Sequence, residues 1–372
     1  MSRGLGDVYK RQIEDSINGI KAGYAAGMKV IHIPDTIEIN DDIRRLTSVV
    51  CHSLSDVPDI IDTWNEGKVA DVEGYYENAK INRVYVDRVH VKKAFAEYTA
   101  AYNADDPKIK LKIDHTYRVA ALCERIAKAA GMCVYDVELA WLSGMLHDVG
   151  RFEQIKRYNT FSDADSVDHA KFGADLLFKD GLISTFLNGM VKCTGYKPGA
   201  LENRYSSDGV FLYDRLNKSD MEMLELAIRC HNMYRIPQGL NRREQAFCNV
   251  LRDADKVDIF KVNIDTPLEE IYNTTTEELM KSDITDEVLE AFDEEHCILK
   301  AIRRTPADTV IGHVSLAYEL VYDESVRITV EQGYLAKLMH FHSDNEETNR
   351  KMAMVREKMD SYVKKRIGEK DA

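Results

Sequence analysis

The feature that most constrains this chain is a set of apolar helix faces, each of which carries an imidazole or a carboxylate inward. The clearest is Trp141-Leu-Ser-Gly-Met-Leu-His-Asp-Val-Gly-Arg151. There Val137, Ala140, Trp141, Gly144, Met145 and Asp148 recur at helical spacing, so the carboxylate lies on the core-facing stripe. His147 stands beside it. Buried charge without a partner loses its hydration, so an inward His-Asp pair is costly unless something binds it, and a divalent metal suits both groups. The local alternative is that His147 caps the helix and Asp148 opens a turn before Gly150.

Further segments repeat the device. His115 lines up with Val119, Leu122 and Ile126, and His169 shares a face with Phe172, Gly173, Leu176 and Leu177. His231 follows Leu224, Ala227 and Ile228 one turn later, and Phe247, Leu251 and Ala254 carry Asp255 inward. Any one of these is ordinary as a hydrogen-bonded core polar group. Their recurrence within one stretch of chain is what points to a shared ligand.

The order His115, then His147-Asp148, then Asp255 resembles the HD-domain superfamily of metal-dependent phosphohydrolases, over about residues 111–262. The resemblance implies a helical fold with a His, His-Asp, Asp metal site. The added His169 and His231 look like the subset with two metals, as in dinucleoside tetraphosphate hydrolases and cyclic-dinucleotide phosphodiesterases. On that resemblance His115, His147, Asp148 and Asp255 hold one ion and His169 and His231 a second, with Asp148 bridging. Asp253 rivals Asp255, but two residues apart only one is expected to face inward. Asp255 is chosen for its stripe and because the family's final aspartate typically follows a small residue, here Ala254.

Imidazoles and carboxylates suit Mn²⁺, Fe²⁺, Co²⁺, Ni²⁺ or Zn²⁺ without choosing among them. Two ions about 3.5 to 4 Å apart can activate a shared water and stabilise both attacking and leaving oxygens. The implied function is hydrolysis of a phosphoester or phosphoanhydride of a nucleotide or other small phosphorylated metabolite. His147, Asp148 and Arg151 are then the catalytic candidates, while Arg118, Arg151 and Lys171 could clamp phosphate oxygens, with Arg235 and Lys256 weaker candidates. Each of these cations has a surface salt bridge as its plain alternative. Two other functions remain open, a di-iron oxygenase on a similar His-rich set and a nucleotide-sensing or scaffold domain with a structural metal.

A formal charge of -13 argues against a duplex nucleic-acid partner, which calls for a basic face. No run of 18 or more apolar residues and no export signal is present, so no membrane partner is expected. The 7 cysteines form no C-x-x-C pair, which fits reduced thiols and a cytoplasmic location.

The expected fold is mainly α: an HD helical bundle over 86–300, a small α/β fragment over 13–64 joined by a linker over 65–85, and a helical extension over 301–372. In the fragment, a helix capped near Ser16 and stopped at Gly27 precedes a strand from Lys29 to Ile33, an αβ unit of a parallel sheet. It resembles the last part of haloacid-dehalogenase-like phosphatases of the β-phosphoglucomutase branch, where an acidic pair corresponding to Glu14 and Asp15 helps hold Mg²⁺. That family's nucleophilic aspartate and phosphate-contacting lysine are not in the fragment. Residues 1–12 do not join this pattern: Asp7 to Gln12 is what GATGTGTATAAGAGACAG encodes, the end of a transposon sequencing adapter, so an artefactual leader is expected. The Gly-, Ser- and Tyr-rich segment 191–210 reads as an insertion, and His340 and His342 read as surface residues, since two apart they share no helix face.

Overall fold

The computed structural model describes residues 11–26, 28–33, 46–50, 54, 57–58, 61, 86–103, 105–132, 134–187, 218–272 and 274–368. The expected linker over 65–85 and the insertion over 191–210 lie outside these residues. Contacts divide the chain into two units, one of Met1–Arg88, Ala127–Leu139 and Met190–Arg215 and one of Val89–Ile126, Ala140–Gly189 and Leu216–Ala372.

In the first unit, strands β1 (Arg11–Glu14), β2 (Lys29–His32) and β3 (Val49–Val50) form a parallel sheet in that order, and helix α1 (Ile17–Ala25) joins β1 to β2. Ser16 caps α1 as expected, its hydroxyl accepting the Gly19 N–H. Successive strand residues face opposite sides of a sheet, and here Val30 packs with Ile20 while Ile31 packs with Val49 and Val57. Arg11 and Gln12 belong to β1, in register with Lys29 and Val30. Pairing therefore begins inside the expected leader.

Helices make up the second unit and also the Ala127–Leu139 stretch of the first. Helices α2 (Arg88–Thr99), α3 (Pro107–Ala129), α4 (Val134–Leu146) and α5 (Val149–Tyr158) are followed by α6 (His169–Ala174), which runs into a π turn over Asp175–Lys179. After α7 (Ile183–Phe186) come α8 (Lys218–Cys230) and α9 (Arg242–Asp265), the latter opened by an Asn241/Glu244 capping box. The extension continues through α10 (Leu268–Tyr272), α11 (Thr276–Lys281), α12 (Asp286–Asp293), α13 (Pro306–Val314), α14 (Asp323–Gln332), α15 (Tyr334–Met339) and α16 (Glu346–Ile367). His340 and His342 are exposed, as expected.

Two glycines allow the helices that carry the motif to approach backbone to backbone. A Cβ on Gly144 would lie 2.6 Å from the Ala120 Cα, and one on Gly150 would lie 2.4 Å from the His169 carbonyl oxygen. Neither neighbour is a side chain that could swing away. Gly150→Ala is therefore expected to lower unfolding stability by about 3 kcal/mol, the cost of overpacking against backbone. Denaturant unfolding checks this, and a change within error of zero would show that α5 and α6 separate freely.

Asp253 corrects the expectation that only one of Asp253 and Asp255 turns inward. Both do, toward different neighbours. Asp253 is 0% exposed and accepts hydrogen bonds from the Val321 and Tyr322 N–H groups and the Ser325 hydroxyl, so it caps α14 from across the core. Asp253→Ala leaves the buried Ser325 hydroxyl and the two N–H groups without their acceptor, and a loss of about 3 kcal/mol in unfolding free energy is expected. Activity of the folded fraction should be unaffected, which separates this aspartate from Asp255.

Candidate metal centre

The Nε2 atoms of four histidines converge on Asp148. His147 and Asp148 form the break between α4 and α5, with Asp148 at the N-cap position of α5 but making no side-chain capping bond. His147 meets a last-turn carbonyl of α4 and Asp148 lies in the turn, so the local alternative describes the backbone here, and what goes beyond it is an Asp148 carboxylate not used in capping. Asp148 Oδ2 lies 3.5 Å from Nε2 of His115 and 3.5 Å from Nε2 of His147, while Oδ1 lies 3.5 Å from Nε2 of His169 and 3.8 Å from Nε2 of His231. Asp255 joins the first pair, its Oδ1 being 3.2 Å from His115 Nε2 and 3.8 Å from His147 Nε2. The histidines are 0 to 4% exposed, so water does not screen them.

Each imidazole is oriented through its other nitrogen. His147 Nδ1 meets the Gly144 carbonyl at 2.7 Å and His231 Nδ1 meets the Ile228 carbonyl at 2.7 Å, both one turn back in their own helices. His115 Nδ1 meets Asp258 at 2.6 Å and His169 Nδ1 meets Asp163 at 2.7 Å. A carbonyl or carboxylate accepts, so Nδ1 carries the proton in each neutral ring and Nε2 presents its lone pair to the centre. This is the outer arrangement that metal-binding histidines use.

Facing lone pairs repel, yet His115 and His147 bring Nε2 atoms to 3.3 Å and His169 and His231 bring theirs to 3.0 Å. A cation between such nitrogens removes the repulsion. His115, His147 and Asp255 offer ligand atoms within 4.8 Å of one another, as do His147, Asp148 and His231. Nitrogen and carboxylate donors of this kind fit a divalent transition metal.

The electrostatics favour ligand-ready forms. Burial would raise the pKa of Asp148, but Lys112, His147 and His169 outweigh it and hold the carboxyl well below its ordinary range. Asp255 is likewise lowered, burial being outweighed chiefly by His115. Burial pushes His147 down, and burial with Arg151 pushes His169 down to about 4 despite Asp163. Burial with His147 lowers His231 to about 4. For His115, burial and Lys112 act downward but Asp255 and Asp258 prevail, and its pKa is raised.

His169 and His231 thus have folded values below the ordinary 6.5 and are neutral at pH 7. Lowering the pH through about 4 protonates both and turns ligands into competitors for the ion. Metal content after equilibrium dialysis is expected to fall across that interval, and an unchanged content at the acid end would remove these two imidazoles from the ligand set.

All the residues expected as ligands, His115, His147, Asp148, His169, His231 and Asp255, come together. The basic candidates divide. Arg151 belongs to the site: Nη1 donates to Asp163, Gln154 and the Phe161 carbonyl, and Nε lies 3.7 Å from Asp148 Oδ1. Arg118 grips both oxygens of Asp258, at 2.6 and 2.9 Å, and so acts behind His115. Lys171 is exposed and paired with Asp168 at 2.8 Å. Sequence reasoning missed Lys112, whose Nζ lies 2.7 Å from Asp148 Oδ2, and also Asp258 and Asp163. Lys112 precedes His115 by three residues and Asp258 follows Asp255 by three, so helical spacing carried a signal for both.

The ligands run from His115 to Asp255, all inside the segment that one family model matches. Residues 113–259 match the HD domain. The match spans less than half of the 372 residues. HD domains are generally metal-dependent hydrolases. No curated protein and no solved structure matches the chain. Among the described residues, no helix is long and apolar enough to cross a membrane.

Proposed function

We propose that the HD domain is a phosphohydrolase with two metal ions, acting on a nucleotide or another small phosphorylated metabolite. The observation that carries the reading is the division of Asp148, whose Oδ2 faces His115 and His147 while Oδ1 faces His169 and His231. A carboxylate whose two oxygens point to separate nitrogen pairs is placed to serve two ions. Divalent ions held there would lower the pKa of a bound water and offset charge on the attacking and leaving oxygens.

The remaining roles fall to the chain. Asp163 and Asp258 fix the tautomers of His169 and His115, and the helix carbonyls of Gly144 and Ile228 do so for His147 and His231. Arg151, held by Asp163 beside Asp148, is the cation best placed to meet a phosphate oxygen. Arg118 contributes by securing Asp258, and Lys171 lies at the exposed N-terminal turn of α6. The 13–64 segment is proposed to resemble haloacid-dehalogenase-like phosphatases and to take no part in turnover. The parallel β1-α1-β2 unit supports that resemblance.

The deciding experiment combines metal analysis of the purified protein with a phosphate-release screen over nucleotides, dinucleoside polyphosphates, cyclic dinucleotides and sugar phosphates. About two ions per chain with metal-dependent release is the expected result. Iron with O₂ uptake and no phosphate release would overturn it in favour of an oxygenase.

A further inference from the structure

One side chain at the metal centre occupies an oxygen that an ion would use. Lys112 lies on α3 one turn before His115, and its Nζ is 2.7 Å from Asp148 Oδ2. That oxygen is the one that faces the Nε2 atoms of His115 and His147, each at 3.5 Å. The lysine side chain is 18% exposed and the aspartate 2%, so the ammonium reaches inward from water to a buried carboxylate. Against the burial that would raise its pKa, Lys112 is the largest influence keeping Asp148 ionised.

The two cations beside Asp148 are held differently. Arg151 is tied through Nη1 to Asp163, Gln154 and the Phe161 carbonyl, with its Nε 3.7 Å from Oδ1. Among the described residues, Lys112 Nζ donates to Asp148 alone. The Phe161 ring, its centroid 5.5 Å from Nζ, offers the ammonium a second resting place within cation–π range. A lysine on a flexible four-carbon stem can move between the two, whereas the tethered guanidinium cannot. A dication and an ammonium on one oxygen are like charges at close quarters in a poorly screened site.

We propose that Lys112 is an exchangeable counter-ion for Asp148: it neutralises Oδ2 until an ion is taken up beside His115 and His147, and it then moves toward Phe161. The carboxylate never stands as an unpaired buried charge. The inference rests on the metal centre and not on the substrate, and it needs only the ion of that half.

Two measurements on the full-length chain test it without substrate. In the first, chelator-treated protein is titrated calorimetrically with Mn²⁺ at constant pH and ionic strength. Lys112→Met is expected to bind Mn²⁺ at least about tenfold more tightly than the wild type, while Lys112→Arg, which keeps the charge, stays within about threefold of it. In the second, wild type in chelator or in saturating Mn²⁺ is exposed briefly to an amine-acylating reagent, and labelling of Lys112 is read by peptide mass spectrometry. Labelling is expected to rise severalfold with Mn²⁺, while that of Lys281, an exposed lysine of α11, stays unchanged. This reading needs no variant, so it decides even if Lys112→Met fails to fold. Binding by Lys112→Met no tighter than wild type, or labelling of Lys112 indifferent to Mn²⁺, overturns the exchange and leaves the metal centre standing. No Mn²⁺ binding by any form would overturn both, whereas a failure to release phosphate would touch neither.

Discussion

Replacing Asp148 by asparagine is expected to strip the centre of its ions and lower phosphate release at least about a thousandfold, which is about 4 kcal/mol of transition-state stabilisation. Asp148 reaches both halves of the centre: its oxygens lie within 3.5 to 3.8 Å of all four histidine Nε2 atoms. The amide keeps the size of the side chain but turns one arm into a donor aimed at histidine lone pairs or at Lys112. That arm can no longer hold a cation. Losing the carboxylate also leaves Lys112 without the charge it faces and takes one negative charge from the centre, which weakens its hold on an incoming cation. Metal per chain and kcat/KM, measured beside a thermal melt that verifies folding, check the claim. A variant that keeps two ions and its rate would show that Asp148 is a bystander.

The ligands were legible because helical periodicity and burial are the same fact seen at two levels. Val119, Leu122 and Ile126 are buried, and so are Phe247, Leu251 and Ala254, which obliges His115 and Asp255 to point where they do. The α6 stripe was read less well. Phe172 and Leu176 are only half-buried while Ala170, Gly173, Ala174 and Leu177 are buried, so the buried stripe keeps helical spacing but is centred on the Ala170/Ala174 side of His169 and not on the Phe172 side. Asp253 escaped because a stripe argument assigns one inward direction per helix. A helix of 24 residues packed on several sides has more than one. Asp163 had no signal, since it lies in the irregular segment between α5 and α6, where no period relates it to His169. Lys112 was visible by spacing, but a lysine near the start of a helix has a solvent-exposed face as its ordinary reading, and only the 2.7 Å contact with Asp148 removes it. The small sheet was anticipated from Ser16 and the strand that begins at Lys29, whereas the pairing of Arg11 and Gln12 depends on β2 and is not local.

His169→Ala and His231→Ala separate two-ion from one-ion chemistry. Each removes a nitrogen facing Asp148 Oδ1 and leaves His115, His147 and Asp255 around Oδ2 untouched. Metal content is expected to fall from about two per chain toward one, with kcat reduced by about a hundredfold or more, since one half of the charge stabilisation is lost. The two variants should not add when combined, because a second ion lost once cannot be lost again. Asp163→Ala supplies the graded case. It keeps both imidazoles but frees His169 Nδ1, so a smaller loss in metal affinity, about tenfold to a hundredfold, is expected. Metal titration of chelator-treated protein by calorimetry reads all of these without relying on a substrate. If both histidine variants keep full metal content and near-normal rates, the centre is mononuclear. The ligand set then contracts to His115, His147, Asp148 and Asp255, and the 3.0 Å approach of His169 to His231 would be a shared proton instead of a metal site.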